Sequence, residues 1–282
     1  MPEQPLSPLN YNELIDQLIP ICSEAAKAIL DVYYGSDSFD VATKSDDSPV
    51  TRADLAANSI IYSRLQALTP DIPIITEEME LAPYRERKNW SCYWLVDPLD
   101  GTKEFIKRNH QFTINIALVE RNRVKMGIVY VPVSHTIYGG IVGEGAFKTV
   151  DSERCSIRTR NLEQRLQESQ AIEVVASINH CNDATNKIIS DLESNIAKVS
   201  RRSIGSSLKF CLLAEGVADV YPRMAPTCEW DTAAAQAVLE AAGGVVYQLN
   251  LTPLKYNTKD NLLNPYFIAC GDKTYDWNFL AN

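Results

Sequence analysis

Between residues 92 and 102 the chain reads Cys92-Tyr93-Trp94-Leu95-Val96-Asp97-Pro98-Leu99-Asp100-Gly101-Thr102. The first half of this stretch is apolar and rich in aromatic and β-branched side chains, which predicts a buried strand. An earlier apolar run, Ile72-Pro73-Ile74-Ile75, leads into Thr76-Glu77-Glu78 in the same way. The two motifs place four carboxylates where predicted strands end. Carboxylates held so close raise one another's pKa unless a cation lies between them, so the pattern predicts a divalent metal site.

The composition favours a protein of the reducing cytosol. The chain has 282 residues, of which 45% are hydrophobic, and about two domains are expected for this length. Its seven cysteines include no Cys-x-x-Cys pair, which disfavours a disulfide framework and a zinc site. We expect no signal peptide and no transmembrane segment, because no apolar run is long enough. The net charge of -9 argues against sequence-independent binding to nucleic acid.

The first half of the chain predicts two helices followed by a sheet. Apolar side chains recur at helical spacing from Asn12 to Tyr34, with a kink expected at Pro20. A second helix is predicted after Pro49, where Thr51 and Asp54 have the spacing of a capping box. Apolar and alternating runs from residue 112 to residue 150 then predict an antiparallel meander.

The second half predicts alternating helices and strands. A polar stretch over residues 151–170 has little apolar periodicity and is the predicted domain boundary. Beyond it, helical and strand patterns alternate as far as Leu249. The sequence therefore predicts an α+β domain over residues 1–160 and an α/β domain over residues 161–282, with layers of helix and sheet in alternation.

Each candidate metal ligand also has a structural alternative. Because a proline keeps the preceding residue extended, the turn at Pro98 can aim Asp97 and Asp100 into one space, with the Leu99 carbonyl as a third ligand. A hairpin turn with a solvated Asp97 is the alternative, and paired glutamates on a loop are usually solvated.

Two further aspartates could serve the backbone instead of a metal. Asp231 precedes an Ala-rich stretch and could cap a helix, Asp54 occupies the third position of a capping box, and Lys44 alone is a loop lysine. With three histidines and no clustered thiols, the chain offers oxygen ligands, which selects magnesium or manganese over zinc. Two such ions about 4 Å apart could bind a phosphate and lower the pKa of a water.

Three motifs, in this order, resemble the signature of the inositol monophosphatase superfamily: Glu77-Glu78, Trp94 to Thr102, and Glu229-Trp230-Asp231-Thr232-Ala233-Ala234. Two more stretches are similar to the bacterial 3'(2'),5'-bisphosphate nucleotidases of sulfate assimilation, a branch of that superfamily. They are Lys103-Glu104-Phe105-Ile106 and Ser203-Ile204-Gly205-Ser206-Ser207-Leu208-Lys209-Phe210-Cys211. The resemblance implies the layered αβαβα sandwich of the superfamily. It also implies that the first domain supplies most metal ligands and the second supplies Asp231 and the nucleotide contacts.

The resemblance implies a role for each matching residue. The first Mg2+ would be held by Glu77, Asp97 and the Leu99 carbonyl, and the second by Asp97, Asp100 and Asp231. A third, looser ion would share Glu77. The nucleophile would be a metal-activated water positioned by Glu77 and Thr102, with Thr102 paired to Asp54.

The resemblance also implies a set of substrate contacts. The reacting phosphate would lie against the main-chain amides of Gly101 and Thr102. The nucleotide or its second phosphate would be contacted by His180, Ser206, Lys209 and Arg223.

The implied function is a Mg2+-dependent phosphomonoesterase that hydrolyses adenosine 3',5'-bisphosphate (PAP) to AMP and phosphate. It would also accept 3'-phosphoadenylyl sulfate and be inhibited by Li+. An inositol or sugar phosphatase of the same fold is one alternative. The Lys103-Glu104 pair, Lys209 and Arg223 argue against it. An inactive, metal-stabilised nucleotide-binding protein is another, disfavoured because every expected ligand is present. A monomer or a homodimer is expected, either free in the cytoplasm or peripheral on the inner membrane.

Overall fold

The computed structural model describes residues 9–36, 39–44, 49–176 and 182–281, in which helices and sheets alternate in five layers. Two long helices cover one face of a seven-stranded sheet. Two more helices lie between this sheet and a five-stranded sheet, whose outer face is covered by helices over residues 162–167 and 183–195. The αβαβα sandwich expected from the sequence is therefore confirmed.

The described helices are α1 (Tyr11–Tyr34), α2 (Arg52–Leu68), α3 (Tyr84–Arg87), α4 (Thr102–Ile106), α5 (Leu162–Gln167), α6 (Asp183–Asn195), α7 (Leu208–Ala214) and α8 (Ala233–Ala242). The described strands are β1 (Ala42–Thr43), β2 (Pro49–Val50), β3 (Ile74–Thr76), β4 (Cys92–Asp100), β5 (Thr113–Glu120), β6 (Arg123–Val131), β7 (Thr136–Ile141), β8 (Gly145–Val150), β9 (Glu153–Ile157), β10 (Ile172–Ala176), β11 (Val199–Ser203), β12 (Val220–Arg223), β13 (Val245–Gln248) and β14 (Phe267–Cys270).

The outer helix layer brings Asp54 to the site. Helix α1 runs through Pro20 without interruption and packs against α2 over the first sheet. Helix α2 begins with the predicted capping box, in which the Thr51 amide donates to Asp54 Oδ2 at 2.8 Å. Because this box satisfies free amides at the helix start, it fixes the first turn of α2 and the position of Asp54.

The first sheet has the strand order β3-β4-β5-β6-β7-β8-β9, with β3 parallel to β4 and every later pair antiparallel. Alternate side chains of a strand point to opposite faces. Accordingly Trp94 and Val96 pack under the outer helices, whereas Tyr93 and Leu95 face the middle layer. Both faces are covered, which explains the nearly continuous apolar run that leads to Asp97.

Strand β4 is longer than the sequence predicts. It continues through Pro98 to Asp100, and its pairing with β5 shifts register between Asp97 and Asp100. The prediction of a turn that begins at Asp97 is therefore wrong. A bulge inside the strand bends the chain, which lets the strand continue while its side chains are aimed differently.

The middle helix layer packs closely on the first sheet and brings Asp231 to it. A Cβ atom on Gly127 of β6 would lie 2.3 Å from the main-chain oxygen of Ala234, and one on Gly140 of β7 would lie 2.7 Å from the Cα of Val238. Glycine at these two strand positions is therefore needed for this approach. The approach sets the N-terminus of α8, and hence Asp231, beside the bulge in β4.

The second sheet has the order β11-β10-β12-β14-β13 and lies wholly after residue 171. The stretch 151–170, predicted as a polar boundary, contains β9 on the edge of the first sheet and helix α5. We keep a division into two domains near residue 160 as a proposal. Among the described residues, no helix combines the length and hydropathy needed to cross a bilayer.

Candidate active site

An acidic cluster lies where strands β3 and β4 of the first sheet approach the start of α8. One carboxylate oxygen from each of Glu77, Asp97 and Asp231 lies within 4.8 Å of the others. These residues come from the end of β3, the bulged part of β4 and the turn before α8. Asp97 is 1% exposed. Residues far apart in the sequence thus supply three anionic oxygens to one small volume.

The cluster is electrostatically unfavourable without a cation. Burial, with the nearby charges of Glu77, Asp100 and Asp231, raises the pKa of Asp97 well above its ordinary value. Burial and the charge of Asp100 raise the pKa of Asp231 to about 8. Buried carboxylates of this kind become stable anions when a cation lies between them. All side-chain donors are oxygens, so the donor set fits a hard divalent ion.

The bulge in β4 is stabilised by its own side chain. Asp97 Oδ1 accepts a hydrogen bond from the Leu99 amide at 3.0 Å. The Leu99 carbonyl oxygen lies 3.4 Å from the Thr102 hydroxyl oxygen. Gly101 has φ +94°, a left-handed conformation that favours glycine, and it turns the chain into α4. The local geometry therefore holds Asp97, Leu99 and Thr102 along one edge of the cluster.

Asp100 lies beside the cluster and is held by other residues. Its Oδ2 accepts from the Ser207 amide at 2.6 Å, and it contacts Thr113 Oγ1 at 3.4 Å and Asn115 Nδ2 at 3.5 Å. It is not one of the three carboxylates with mutually close oxygens. Its charge nevertheless raises the pKa of both Asp97 and Asp231.

Asp54 serves its helix and the site together. One carboxylate oxygen accepts from the Thr51 amide and from the Thr51 hydroxyl at 2.6 Å. The other accepts from the Thr102 hydroxyl at 3.1 Å. The structure thus contains the Thr102–Asp54 pair that the resemblance implies, together with the predicted capping box.

Asp231 does not cap α8, contrary to the structural alternative from the sequence. Its Oδ2 accepts from the Cys228 amide at 2.8 Å and closes the short turn Glu229–Asp231. The residue before α8, Thr232, makes no side-chain cap. The side chain of Asp231 is therefore directed back toward the cluster.

Sequence reasoning missed the role of Lys44. Its ammonium group donates to Glu77 at 2.7 Å and to Glu78 at 2.6 Å, so a cation already lies beside the cluster. Burial lowers the pKa of Lys44, but the two carboxylates outweigh burial and raise it. No local pattern could have shown this contact, because Lys44 precedes Glu77 by 33 positions.

A pocket lined by three basic and three acidic side chains adjoins the acidic cluster. Its lining includes Lys103, Ser206, Lys209, Tyr221 and Arg223, together with Asp100, Gly101 and Asp231. The pocket therefore joins an acidic wall to a basic one. His180, a predicted nucleotide contact, lies outside the described residues.

The two predicted phosphate-binding cations differ in their surroundings. Lys209 is buried. Its ammonium group donates to the Ser206 carbonyl at 2.6 Å and contacts the Ile204 carbonyl at 3.4 Å. Burial lowers its pKa to about 8. Arg223 donates to the carbonyls of Ala225 at 3.2 Å and Pro226 at 3.0 Å. Arg223 keeps more unused donors than Lys209, because a guanidinium group has five.

Comparison with known proteins identifies the family of the chain. The family model described as "Inositol monophosphatase family" matches residues 10–274. The 3'(2'),5'-bisphosphate nucleotidases CysQ of Escherichia coli strain K12 and Salmonella typhimurium are 42% and 43% identical, each over 90% of this chain and 98% of the relative. The crystal structure of CysQ from Bacteroides thetaiotaomicron has a TM-score of 0.79 and 39% identity, and covers 95% of this chain and 100% of that chain.

The chain therefore belongs to the inositol monophosphatase family, whose members are metal-dependent. The relatives named above also confirm the predicted enzyme class, a 3'(2'),5'-bisphosphate nucleotidase.

Proposed function

We propose that the protein is a Mg2+-dependent phosphomonoesterase that removes the 3'-phosphate of PAP, giving AMP and phosphate. The observation that carries the proposal is the acidic cluster of Glu77, Asp97 and Asp231 opening beside a pocket that contains Lys209 and Arg223. Two anionic groups on one substrate match this pair of environments. 3'-Phosphoadenylyl sulfate fits the same description and is proposed as a second substrate.

Two Mg2+ ions are proposed for the cluster. The first would be held by Glu77, Asp97 and the Leu99 carbonyl, and the second by Asp97, Asp100 and Asp231. A third ion could share Glu77, in place of the ammonium group that now neutralises it. When bound, the ions supply Lewis acidity, acidify a water and offset the charge on the leaving oxygen.

The chain's own residues orient the attacking water in this proposal. The Thr102 hydroxyl donates its proton to Asp54, so its oxygen can accept a hydrogen from a water. Glu77 is an acceptor for the water's other hydrogen. The amides of Gly101 and Thr102 are proposed to bind the reacting phosphate. Ser206, Lys209, Arg223 and His180 are proposed to contact the rest of the nucleotide.

A substrate panel tests the proposal. At fixed Mg2+, we expect phosphate release from PAP to exceed that from inositol 1-phosphate and fructose 1,6-bisphosphate, and to stop when EDTA removes the metal. Preference for either of the other two phosphates would favour the inositol or sugar phosphatase alternative. Tight PAP binding without phosphate release would favour the inactive binding protein.

The oligomeric state and the location of the protein stay predictions: a monomer or homodimer, either free in the cytoplasm or peripheral on the inner membrane.

Replacing Arg223 tests which phosphate is recognised at a distance from the reaction. A charge-assisted contact to phosphate contributes about 1.5–3 kcal/mol, so Arg223→Ala should lower kcat/KM for PAP roughly 10- to 150-fold. Hydrolysis of 3'-AMP, which lacks the 5'-phosphate, should hardly change. Arg201→Ala is the matched control, because Arg201 is exposed on β11 and does not line the pocket. An equal fall for both substrates would contradict a 5'-phosphate contact.

The metal affinity should depend on pH. The metal-free protein keeps Asp231 protonated below about pH 8, whereas Mg2+ binds the carboxylate. Binding therefore releases protons, and the apparent affinity should rise by up to about tenfold per pH unit for each proton released. The rise should level off only once both Asp231 and Asp97, whose pKa is also raised, are deprotonated in the metal-free protein. Titration calorimetry in buffers of different ionisation enthalpy measures the proton release, and a pH-independent affinity between about pH 6 and 8 would rule it out.

Lithium should inhibit the enzyme. By the family resemblance, Li+ occupies the proposed second metal position after the phosphate ester has been cleaved, so inhibition should be uncompetitive or noncompetitive with PAP. Initial rates at millimolar Li+ across PAP concentrations would show the pattern. A purely competitive pattern, or none, would contradict it.

A further inference from the structure

Ser207 lies where two separate segments of the proposed metal site meet. It precedes α7 and borders the pocket, yet it is only 2% exposed. The family resemblance implied no role for Ser207, and no pattern in the sequence indicated one. Its surroundings are polar and densely hydrogen-bonded.

Ser207 contacts both Asp100 and Asp231. Its main-chain amide donates to Asp100 Oδ2 at 2.6 Å. Its hydroxyl donates to the main-chain oxygen of Asp231 at 2.9 Å. Asp100 belongs to β4 of the first sheet and Asp231 to the turn before α8, so one residue joins the two segments.

The Ser207 hydroxyl is also tied to the neighbouring strand. It accepts from Asn115 Nδ2 at 2.9 Å, and Asn115 Oδ1 accepts from Thr113 Oγ1 at 3.2 Å. Asn115 and Thr113 are fully buried on β5. The hydroxyl therefore uses its one proton on Asp231 while it accepts from a rigid strand, which leaves it a single orientation.

Asp100 and Asp231 lie on separate segments of the chain, so their relative position depends on the contacts that join those segments. Groups that hydrogen-bond to metal ligands orient those ligands before the ion binds, and their loss weakens metal affinity. Without the hydroxyl, the main chain at Asp231 would lose its anchor to β5. The hydrogen bond from the main-chain amide of Ser207 to Asp100 would remain.

We propose that Ser207 is a positioning residue of the metal site, whose hydroxyl fixes the backbone of Asp231 against Asn115 while its amide fixes Asp100. This inference rests on the proposed function in one respect, that Asp100 and Asp231 bind Mg2+. Ser207 touches neither substrate nor metal in this role and acts only through the two aspartates.

Titration calorimetry of the metal-free protein with Mg2+ tests the role. Ser207→Ala removes one oxygen atom and should weaken Mg2+ binding by about 10-fold or more. Ser207→Thr keeps the hydroxyl and should bind nearly as well as the wild type. The matched control is Thr185→Val, which removes another buried hydroxyl, bonded to Asn182 at 2.9 Å in the α6 layer. The control should lower the melting temperature without changing the Mg2+ affinity.

Unchanged Mg2+ affinity in Ser207→Ala would overturn the positioning role, as would an equal loss in Thr185→Val, which would indicate general loosening. If Ser207→Ala does not fold, Ser207→Cys replaces it, because sulfur fills the space but is a weak donor. Failure of the wild type to bind Mg2+ would defeat the proposed function itself. Normal wild-type binding with an unaffected alanine variant would defeat only the role of Ser207.

Discussion

Asp97→Asn is expected to abolish phosphate release from PAP while leaving the protein folded. The substitution removes the carboxylate charge that would lie between the two proposed ions, and a loss of several kcal/mol corresponds to a rate on the order of 1000-fold lower. The Asn side chain has nearly the same volume, and its oxygen can still accept from the Leu99 amide. Initial rates at saturating Mg2+ measure the effect.

Thermal melts provide the control for Asp97→Asn. A buried carboxylate with a strongly raised pKa destabilises the metal-free protein, so the neutral variant should melt at or above the wild-type temperature in EDTA. Addition of Mg2+ should stabilise the wild type and have little effect on the variant. Turnover near the wild-type rate would refute a bridging role for Asp97, and a lower melting temperature in EDTA would point to a role in folding.

Asp231→Asn is expected to reduce phosphate release by a comparable factor, on the order of 100- to 1000-fold. In the structure the carboxylate accepts from the Cys228 amide, which an Asn side chain can do equally well. The turn before α8 should therefore survive, and the fold with it. A residue needed only to close that turn would tolerate the change, whereas a metal ligand would not.

A neighbouring residue supplies the matched control for Asp231→Asn. Glu229 lies in the same turn and is buried, but it accepts from the Asn257 amide at 2.7 Å and is outside the group of three carboxylates. Glu229→Gln should keep that hydrogen bond and retain far more activity than Asp231→Asn. Rates and Mg2+ titrations of both variants decide the matter, and equal losses would show that the turn itself is being disrupted.

Features set by neighbouring residues could be predicted from the sequence. The capping box needs only Thr51 and Asp54, three positions apart, and the structure contains it. The meander and the helix stopped at Gly243 likewise follow from local periodicity and turn chemistry. The Ala-rich composition of α8 predicted a helix. It did not predict that this helix lies close to glycines on β6 and β7.

Features that depend on tertiary pairing could not be predicted. Pro98 and the Asp100-Gly101 pair indicated a turn, but pairing with β5 extends the strand through a bulge to Asp100. Pairing across the sheet outweighed local turn preference there. Lys44 is 33 positions from Glu77 in the sequence, and Ser207 is 107 positions from Asp100. No local sequence pattern could therefore predict either contact.

The prediction that Asp231 joins the other metal ligands came from the family resemblance. No pattern in the residues themselves indicated it. Its position before an Ala-rich helix suggested a cap, and only the folded chain shows the carboxylate turned back to Cys228. Pairs of carboxylates on separate elements acquire meaning when the fold brings them together, because their mutual repulsion acts over a few ångströms.

The most direct test of the account is to follow PAP hydrolysis by 31P NMR with Mg2+ and with EDTA. With Mg2+, the 3'-phosphate signal should disappear, the 5'-phosphate signal of AMP should remain, and inorganic phosphate should appear in equal amount. With EDTA the PAP spectrum should not change. Release of the 5'-phosphate to leave 3'-AMP, hydrolysis at the same rate in EDTA, or no hydrolysis with Mg2+ would contradict the proposed function.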